Sequence, residues 1–184
     1  MPIEDWDARY RAGKLDPQPA PLLIEAVDLL PPGRALDVAC GPGRHALHLA
    51  RAGWRVTAVD GSRVAIAALQ QRAARERLAI QAVVADLERG EFVIEPERYD
   101  LVCDFFYLQR DLFPAMLAGL RPGGVFAGVI HMHTPGFTPR HPEFLVSSGE
   151  LREFFRGWKI LYYSERPPEG GHRRATAQIL ARRA

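Results

Sequence analysis

Between Ala35 and Asp60 the chain reads ALDVACGPGRHALHLARAGWRVTAVD, preceded by Gly33 and Arg34, and this stretch leaves few folds open. Ala35, Leu36, Val38 and Ala39 form an apolar run that carries one carboxylate, Asp37, and breaks at Cys40-Gly41-Pro42-Gly43. Ala46, Leu47, Leu49 and Ala50 then recur at helical spacing, Gly53 ends that segment, and a second apolar run from Val56 to Val59 stops at Asp60. Strand, glycine turn, helix, strand and acid in this order make half of a nucleotide-binding βαβ unit, in which turn amides and a helix N-terminus face a polar ligand.

Glycine lets the turn bend tightly and lets a ligand approach without meeting a Cβ. An acid closing the second strand stands where a ribose diol can donate to it. Gly41-x-Gly43-x-x-Ala46 also fits the dinucleotide fingerprint, with Asp60 close to the roughly 20-residue spacing expected after it. Asp37 weighs against that reading, because a negative charge on the strand just before the turn faces an incoming pyrophosphate. A cofactor with a cationic end meets no such repulsion.

The same residues resemble the first motif of the class I S-adenosylmethionine-dependent methyltransferases, an acid, a spacer and alternating glycines, which reads here Asp37-Val38-Ala39-Cys40-Gly41-Pro42-Gly43. Within that class, ALDVACGPGRHALHLARAGWRVTAVDGS and the opening WDARY are similar to the small bacterial enzymes related to the tellurite-resistance methyltransferases. The resemblance implies S-adenosyl-L-methionine as cofactor. It implies that Asp37, Ala39, Cys40, Gly41, Gly43, Arg44, Asp60, Gly61 and Ser62 hold that cofactor, with Asp86, Leu87, Asp104 and Phe105 joining from later strands. It also implies an N-terminal flap across the pocket, bringing in Trp6, Tyr10 and Arg11; the alternative is that Trp6 merely anchors a loose N-terminus. Ala39 stands where the family usually has glycine, so a backbone that need not adopt positive φ is expected there.

A chain of 184 residues is expected to be one domain, residues 1–184, with 1–30 as N-terminal flap and helix. Its 24 basic and 22 acidic side chains leave a net charge of +2, too balanced to imply a nucleic-acid partner. Cys40 and Cys103 do not make a disulfide framework, no signal peptide is visible, and no run reaches the roughly 18 apolar residues a membrane helix needs. A cytoplasmic protein without a membrane partner, monomeric or homodimeric, is the expectation.

Along the rest of the chain, Trp6 to Arg11 reads as a short mixed segment and Leu22 to Leu30 as a helix for whose first turn Pro21 is suited. Ser62 suits the N-cap of a helix to about Arg77. A strand from Ile80 to Ala85 ends at Asp86-Leu87, where the resemblance implies contacts to the adenine amino group and a ring nitrogen; an Asp that simply caps a turn is the alternative. Asp100 to Tyr107 reads as a fourth strand and Gln109 to Leu120 as a helix with Leu112, Met116, Leu117 and Leu120 inside. Arg121-Pro122-Gly123-Gly124 is expected as a turn and Val125 to Ile130 as a fifth strand. Ser147 to Phe155 is expected as a last helix capped by Ser147 or Ser148. Strands from Trp158 to Ser164 and from Ala175 to Ala181, joined by one loop, make a hairpin. The expected architecture is a three-layer Rossmann-like α/β sandwich with a mostly parallel seven-stranded sheet whose last strand runs antiparallel.

Phe105, Phe106, Tyr107, Arg110, His131 and His133 follow the fourth and fifth strands and form the expected acceptor wall, with Tyr107, Arg110, His131 and His133 as the catalytic candidates. Neither a cysteine pair nor an HExxH motif accompanies the histidines, so no metal is expected. Arg44 at a helix start opposes the helix dipole unless it points to solvent or meets an anion. The activity expected from the resemblance is direct displacement of a methyl group from S-adenosylmethionine to a small-molecule acceptor, such as an oxyanion, a thiol or another small nucleophile, giving S-adenosylhomocysteine. A non-catalytic cofactor-binding protein and an NAD-dependent oxidoreductase remain the alternatives.

Overall fold

The computed structural model of the chain describes residues 3–13, 17–134, 136, 138–139, 141–168 and 174–184. Seven strands, β1 (Arg34–Val38), β2 (Arg55–Asp60), β3 (Ile80–Val84), β4 (Tyr99–Phe105), β5 (Leu120–His131), β6 (Lys159–Arg166) and β7 (Thr176–Arg182), form one sheet in the order β3-β2-β1-β4-β5-β7-β6. The pairs from β3 through β5 are parallel, and β7 runs antiparallel to both β5 and β6. The antiparallel last strand expected from the hairpin is therefore present.

Alternation along the strands sorts the core into two layers. Ala35, Val56, Ala58, Leu101, Val125 and Ala127 meet α2 (Pro21–Val27), α3 (Arg44–Arg51) and α4 (Arg63–Glu76), which bury Leu23, Leu47, Leu49, Ile66 and Leu69. Leu36, Val38, Val102, Phe126 and Ile130 face the other way, toward Phe113 and Met116 of α5 (Phe113–Gly119) and Leu151 of α6 (Glu150–Glu153). Because side chains alternate with period two, a one-residue slip of any central strand would exchange these layers. Ser62 caps α4 by accepting the Ala65 N–H at 3.0 Å, as its position suggested.

Several boundaries differ from the sequence reading. The mixed segment Trp6 to Arg11 is part of a helix, α1 (Ile3–Arg11), whose residues are all partly or fully exposed. The second helix ends at Val27 rather than Leu30. A 3-10 turn at Arg110–Leu112 precedes α5, which starts at Phe113 with Pro114 in its first turn and buries Phe113, Met116 and Gly119. Arg121-Pro122-Gly123-Gly124 interrupts β5 as a bulge, since the pairing jumps from Tyr99↔Leu120 to Leu101↔Val125. The last helix is only Glu150–Glu153 and is entered through Gly149, at φ 79°, rather than through a serine cap. Ser148 and Gly149 instead donate to the Glu165 carboxylate on β6, at 2.7 and 2.6 Å. No helix forms among the described residues 85–98 that connect β3 to β4. No helix among the described residues is long and apolar enough to cross a membrane.

Candidate active site

The carboxyl ends of β1, β2, β3 and β4 converge on the glycine turn. Asp60 ends β2 and joins two turns: its Oδ2 accepts the Gly41 N–H and its Oδ1 the Ser62 N–H, each at 2.8 Å. Burial pushes the Asp60 carboxyl upward, and these two amides pull it back. Each oxygen keeps a second lone pair for a ligand hydroxyl. Asp37 is fully buried, and its Oδ2 accepts the Ala46 N–H at 3.0 Å, which ties β1 to the first turn of α3. Its Oδ1 is buried without a hydrogen-bond partner, and burial raises the carboxyl to about 7.

The turn between them is strained where the sequence suggested it was not. Ala39 has φ 49°, a left-handed backbone that its methyl group disfavours, so the expectation of an ordinary conformation there is corrected. Cys40, buried and donating its N–H to Val59 O at 2.9 Å, carries the chain toward β2. Gly43 enters α3 at φ 80°, and a Cβ on it would collide with Leu69 of α4. The unpartnered Asp37 oxygen suits a cationic amino group, while Gly41 and Gly43 let Tyr10 and Leu69 pack against the turn.

The N-terminal helix lies over this turn. A Cβ on Gly41 would come within 3.2 Å of the Tyr10 hydroxyl, and one on Gly61 within 2.8 Å of Ile3. Ser62 Oγ donates to the Asp7 carboxylate, Arg11 pairs with Asp7 at 3.6 Å, and Trp6 stacks on Tyr10 at 5.8 Å. Tyr10 is raised by burial first and by the Asp60 charge next. Tyr10 and Asp7 thus reach Gly41 and Ser62 directly, whereas Trp6 and Arg11 support them.

Farther along the edge, Asp86 Oδ1 accepts the Glu88 N–H at 3.0 Å, a turn-capping bond, and Leu87 O accepts from Gln109 Nε2 at 3.3 Å. Tyr107 donates its hydroxyl to Gln109 Oε1 at 2.7 Å, so Gln109 couples the ends of β3 and β4. Asp104 is fully buried opposite Gly128, and its carboxyl is pushed well above the ordinary range by burial, which the Tyr107 backbone N–H opposes only weakly. It faces the layer of Val38 rather than that of Asp37, because its register partner on β1 is Val38.

Phe105 packs on His45 at 4.1 Å between ring centres. The ring of His45 is buried and its Nε2 accepts the Ala20 N–H at 3.3 Å, so it is neutral; burial and the Arg44 charge lower it to about 3. Arg44 is half-buried at the start of α3. It donates to Gln18 O at 3.3 Å and lies 5.6 Å from the Phe106 ring centre. Phe106 itself has φ 68°, donates its N–H to Val129 O at 2.6 Å, and meets His131 at 5.0 Å.

Beside Phe106 and Val129 opens a cavity of about 200 Å³, lined on one side by Ala20 and by Pro21, Leu22 and Glu25 of α2 and on the other by Tyr162, Arg166, Arg174, Thr176 and Gln178. Arg166 Nη2 donates to the Tyr162 hydroxyl at 2.8 Å, and Ser164 and Arg166 together lower that phenol. Sequence reasoning missed this wall. Its one signal was Thr176 and Gln178, polar residues on the face of β7 that continues inward at Leu180. Of the expected acceptor residues, His131 borders the Phe106 ring, while His133 is exposed beyond the end of β5. Arg110 points elsewhere: its guanidinium donates to Glu150 Oε1 at 2.7 Å, Glu143 O at 2.7 Å and Leu145 O at 2.9 Å, bracing the segment before α6. Pro135, Phe137 and Arg140 of the proline-rich segment, and His172, lie outside the described residues.

A mostly parallel sheet in this strand order, with an acid-flanked glycine turn at its carboxyl edge, defines the class I S-adenosylmethionine-dependent methyltransferase fold. Residues 13–177 match the family model described as tellurite resistance protein TehB, and the chain belongs to that family. It is 28% identical over 151 residues to the probable S-adenosyl-L-methionine-dependent methyltransferase TehB of Haemophilus influenzae, covering 78% of this chain and 52% of that protein. It is 35% identical over 149 residues to a protein named hemagglutinin 1 from Eikenella corrodens, covering 77% of this chain and 49% of that one. The chain therefore spans about half the length of these curated relatives. The crystal structure of TehB from Haemophilus influenzae superposes with a TM-score of 0.76 at 26% identity, covering 88% of this chain and 61% of that one.

Proposed function

We propose that the protein transfers a methyl group from S-adenosylmethionine to a small nucleophile seated in the cavity beside Phe106. The observation that carries the reading is the junction at Asp60, which fixes Gly41 and Ser62 while keeping lone pairs for a ribose diol. Asp37, with one buried oxygen unsatisfied, suits the cofactor's ammonium group. Asp86 and Leu87 flank the adenine end, and α1 is the flap that covers the pocket through Tyr10 and Asp7. The cofactor supplies an electrophilic methyl carbon on a sulfonium. The chain's own residues align, desolvate and hold the acceptor.

Phe106 stands between the glycine turn and the cavity, held by Val129 and flanked by Arg44 and His131. Arg166, Arg174 and Gln178 line the acceptor's side together with the Glu25 carboxylate, a wall of mixed charge that favours a polar acceptor. An acceptor already carrying a free lone pair needs no general base. Thermal-shift measurements with S-adenosylhomocysteine and with NADH test the cofactor directly. Stabilisation by the former alone is expected; stabilisation by NADH alone would replace this reading with that of an oxidoreductase.

A further inference from the structure

At the opposite edge of the sheet, Arg34 on β1 and Arg55 on β2 are register partners on adjacent parallel strands and share one face. Strands stand about 4.8 Å apart, so these like charges are rooted side by side, an arrangement that destabilises a sheet unless an opposite charge offsets it. Neither guanidinium has an acidic partner among the described residues. The nearby carboxylates are occupied: Asp100 accepts the Arg34 backbone N–H at 2.7 Å and pairs with Arg121, while Glu95 pairs with Arg98.

The same face continues with Thr57 and Gln81, themselves register partners, whose side-chain oxygens lie 3.3 Å apart. Helices α3 and α4 pack on the other face, and α5 lies under β4 and β5. The connection from β3 to β4 buries Leu87 and Ile94 in that layer, while Arg34, Arg55 and Gln81 remain exposed and Thr57 half-buried. They border a shallow recess of about 460 Å³ that Arg98 and Tyr99 also line, with Val56, Ala79 and Ile80 as its apolar part. That volume lies in the range of small-molecule sites, roughly 300–1,000 Å³.

We propose that this recess binds a small phosphorylated anion, with Arg34 and Arg55 as its paired charge partners and Thr57 and Gln81 as hydrogen-bonding neighbours. A guanidinium pair suits a phosphate's several oxygens, and a bound dianion turns the like-charge pair from a liability into a clamp. The near-neutral balance of the chain, +2 overall, favours a small ligand over a nucleic acid, which needs a longer basic track. Arg55 and Asp60 begin and end β2, so the site is about 17 Å along the strand from the cofactor cradle and independent of it.

Inorganic pyrophosphate is the probe, titrated into the whole chain at constant ionic strength and followed by calorimetry and amide NMR shifts. Saturable binding at millimolar pyrophosphate is expected, with shifts at Arg34, Arg55, Thr57 and Gln81 and none at Gly41 or Ser62. R34Q/R55Q should weaken it about tenfold or more while leaving S-adenosylhomocysteine affinity unchanged; R34K/R55K should retain part of it. R34Q/R55Q should also melt no lower than wild type without ligand, because the repulsion is gone. Absence of saturation, equal shifts with chloride, an unaffected R34Q/R55Q variant, or tighter binding of a single-stranded RNA with shifts spreading beyond the recess would each overturn the proposal.

Discussion

The Asp60 carboxylate holds Gly41 at 2.8 Å, and through that bond the turn after β1 takes its position from the end of β2. The acid proposed to bind a ribose is thus also the brace of the glycine turn. Asp60→Asn should weaken S-adenosylhomocysteine binding by about 1–3 kcal/mol, since the amide keeps one acceptor but turns an NH2 toward a backbone N–H. Calorimetry on the folded variant checks this, and unchanged affinity would remove Asp60 from the cofactor site.

Ala39 at φ 49° makes a stability prediction of opposite sign. Ala39→Gly should raise the midpoint of thermal unfolding, because relief of a left-handed alanine, about 1–2 kcal/mol, exceeds the entropy that glycine adds to the unfolded chain, about 0.4–1 kcal/mol. A lower midpoint would mean that the methyl group packs better than its backbone strain implies.

Asp37 and Asp104 predict a pH dependence. Both are raised in the folded state by burial, Asp37 to about 7, so folding favours their protonated forms. Their contribution to stability is complete below the unfolded carboxylate value of about 3.9 and is lost as pH rises through the folded values. The ligand-free protein should therefore unfold at lower temperature at pH 8 than at pH 5. Asp104→Asn should flatten that slope, and Asp37→Asn should flatten it while reducing S-adenosylmethionine affinity. A slope unchanged in both variants would assign the pH dependence to other groups.

Tyr107→Phe removes the hydroxyl that holds Gln109, and with it the anchoring of Leu87 O. Cofactor affinity should fall by about 1 kcal/mol, the worth of one hydrogen bond, with turnover following it. Calorimetry and turnover measured together check this. Turnover lost at unchanged affinity would instead assign Tyr107 to the acceptor.

The central βαβ unit was legible because burial on both faces of a parallel strand leaves a continuous apolar run, and the glycines and Asp60 punctuate it. The N-terminal helix was not, since its residues lie on the surface and lack the apolar stripe by which helices are read. Gln109 to Leu120 misled because its helical periodicity runs through a 3-10 turn and into a strand. At the candidate site Asp60 and Asp86 stood out as charges closing apolar strands. The far wall of the cavity did not, because Tyr162, Arg166 and Gln178 come from a hairpin distant in sequence and gather only when β7 inserts between β5 and β6. Arg110 looked available in sequence and is held by the segment before α6.

The account stands or falls on whether a cofactor cradle at Asp60 serves an acceptor beside Phe106. Release of S-adenosylhomocysteine measured across a panel of oxyanions, thiols and small phenols, for wild type and for Gln178→Leu, tests this most directly. The account predicts acceptor-dependent release that falls at least about tenfold in Gln178→Leu, with S-adenosylhomocysteine affinity held within about twofold. Cofactor binding without release for any acceptor, or a variant that releases product as fast as wild type, would contradict it.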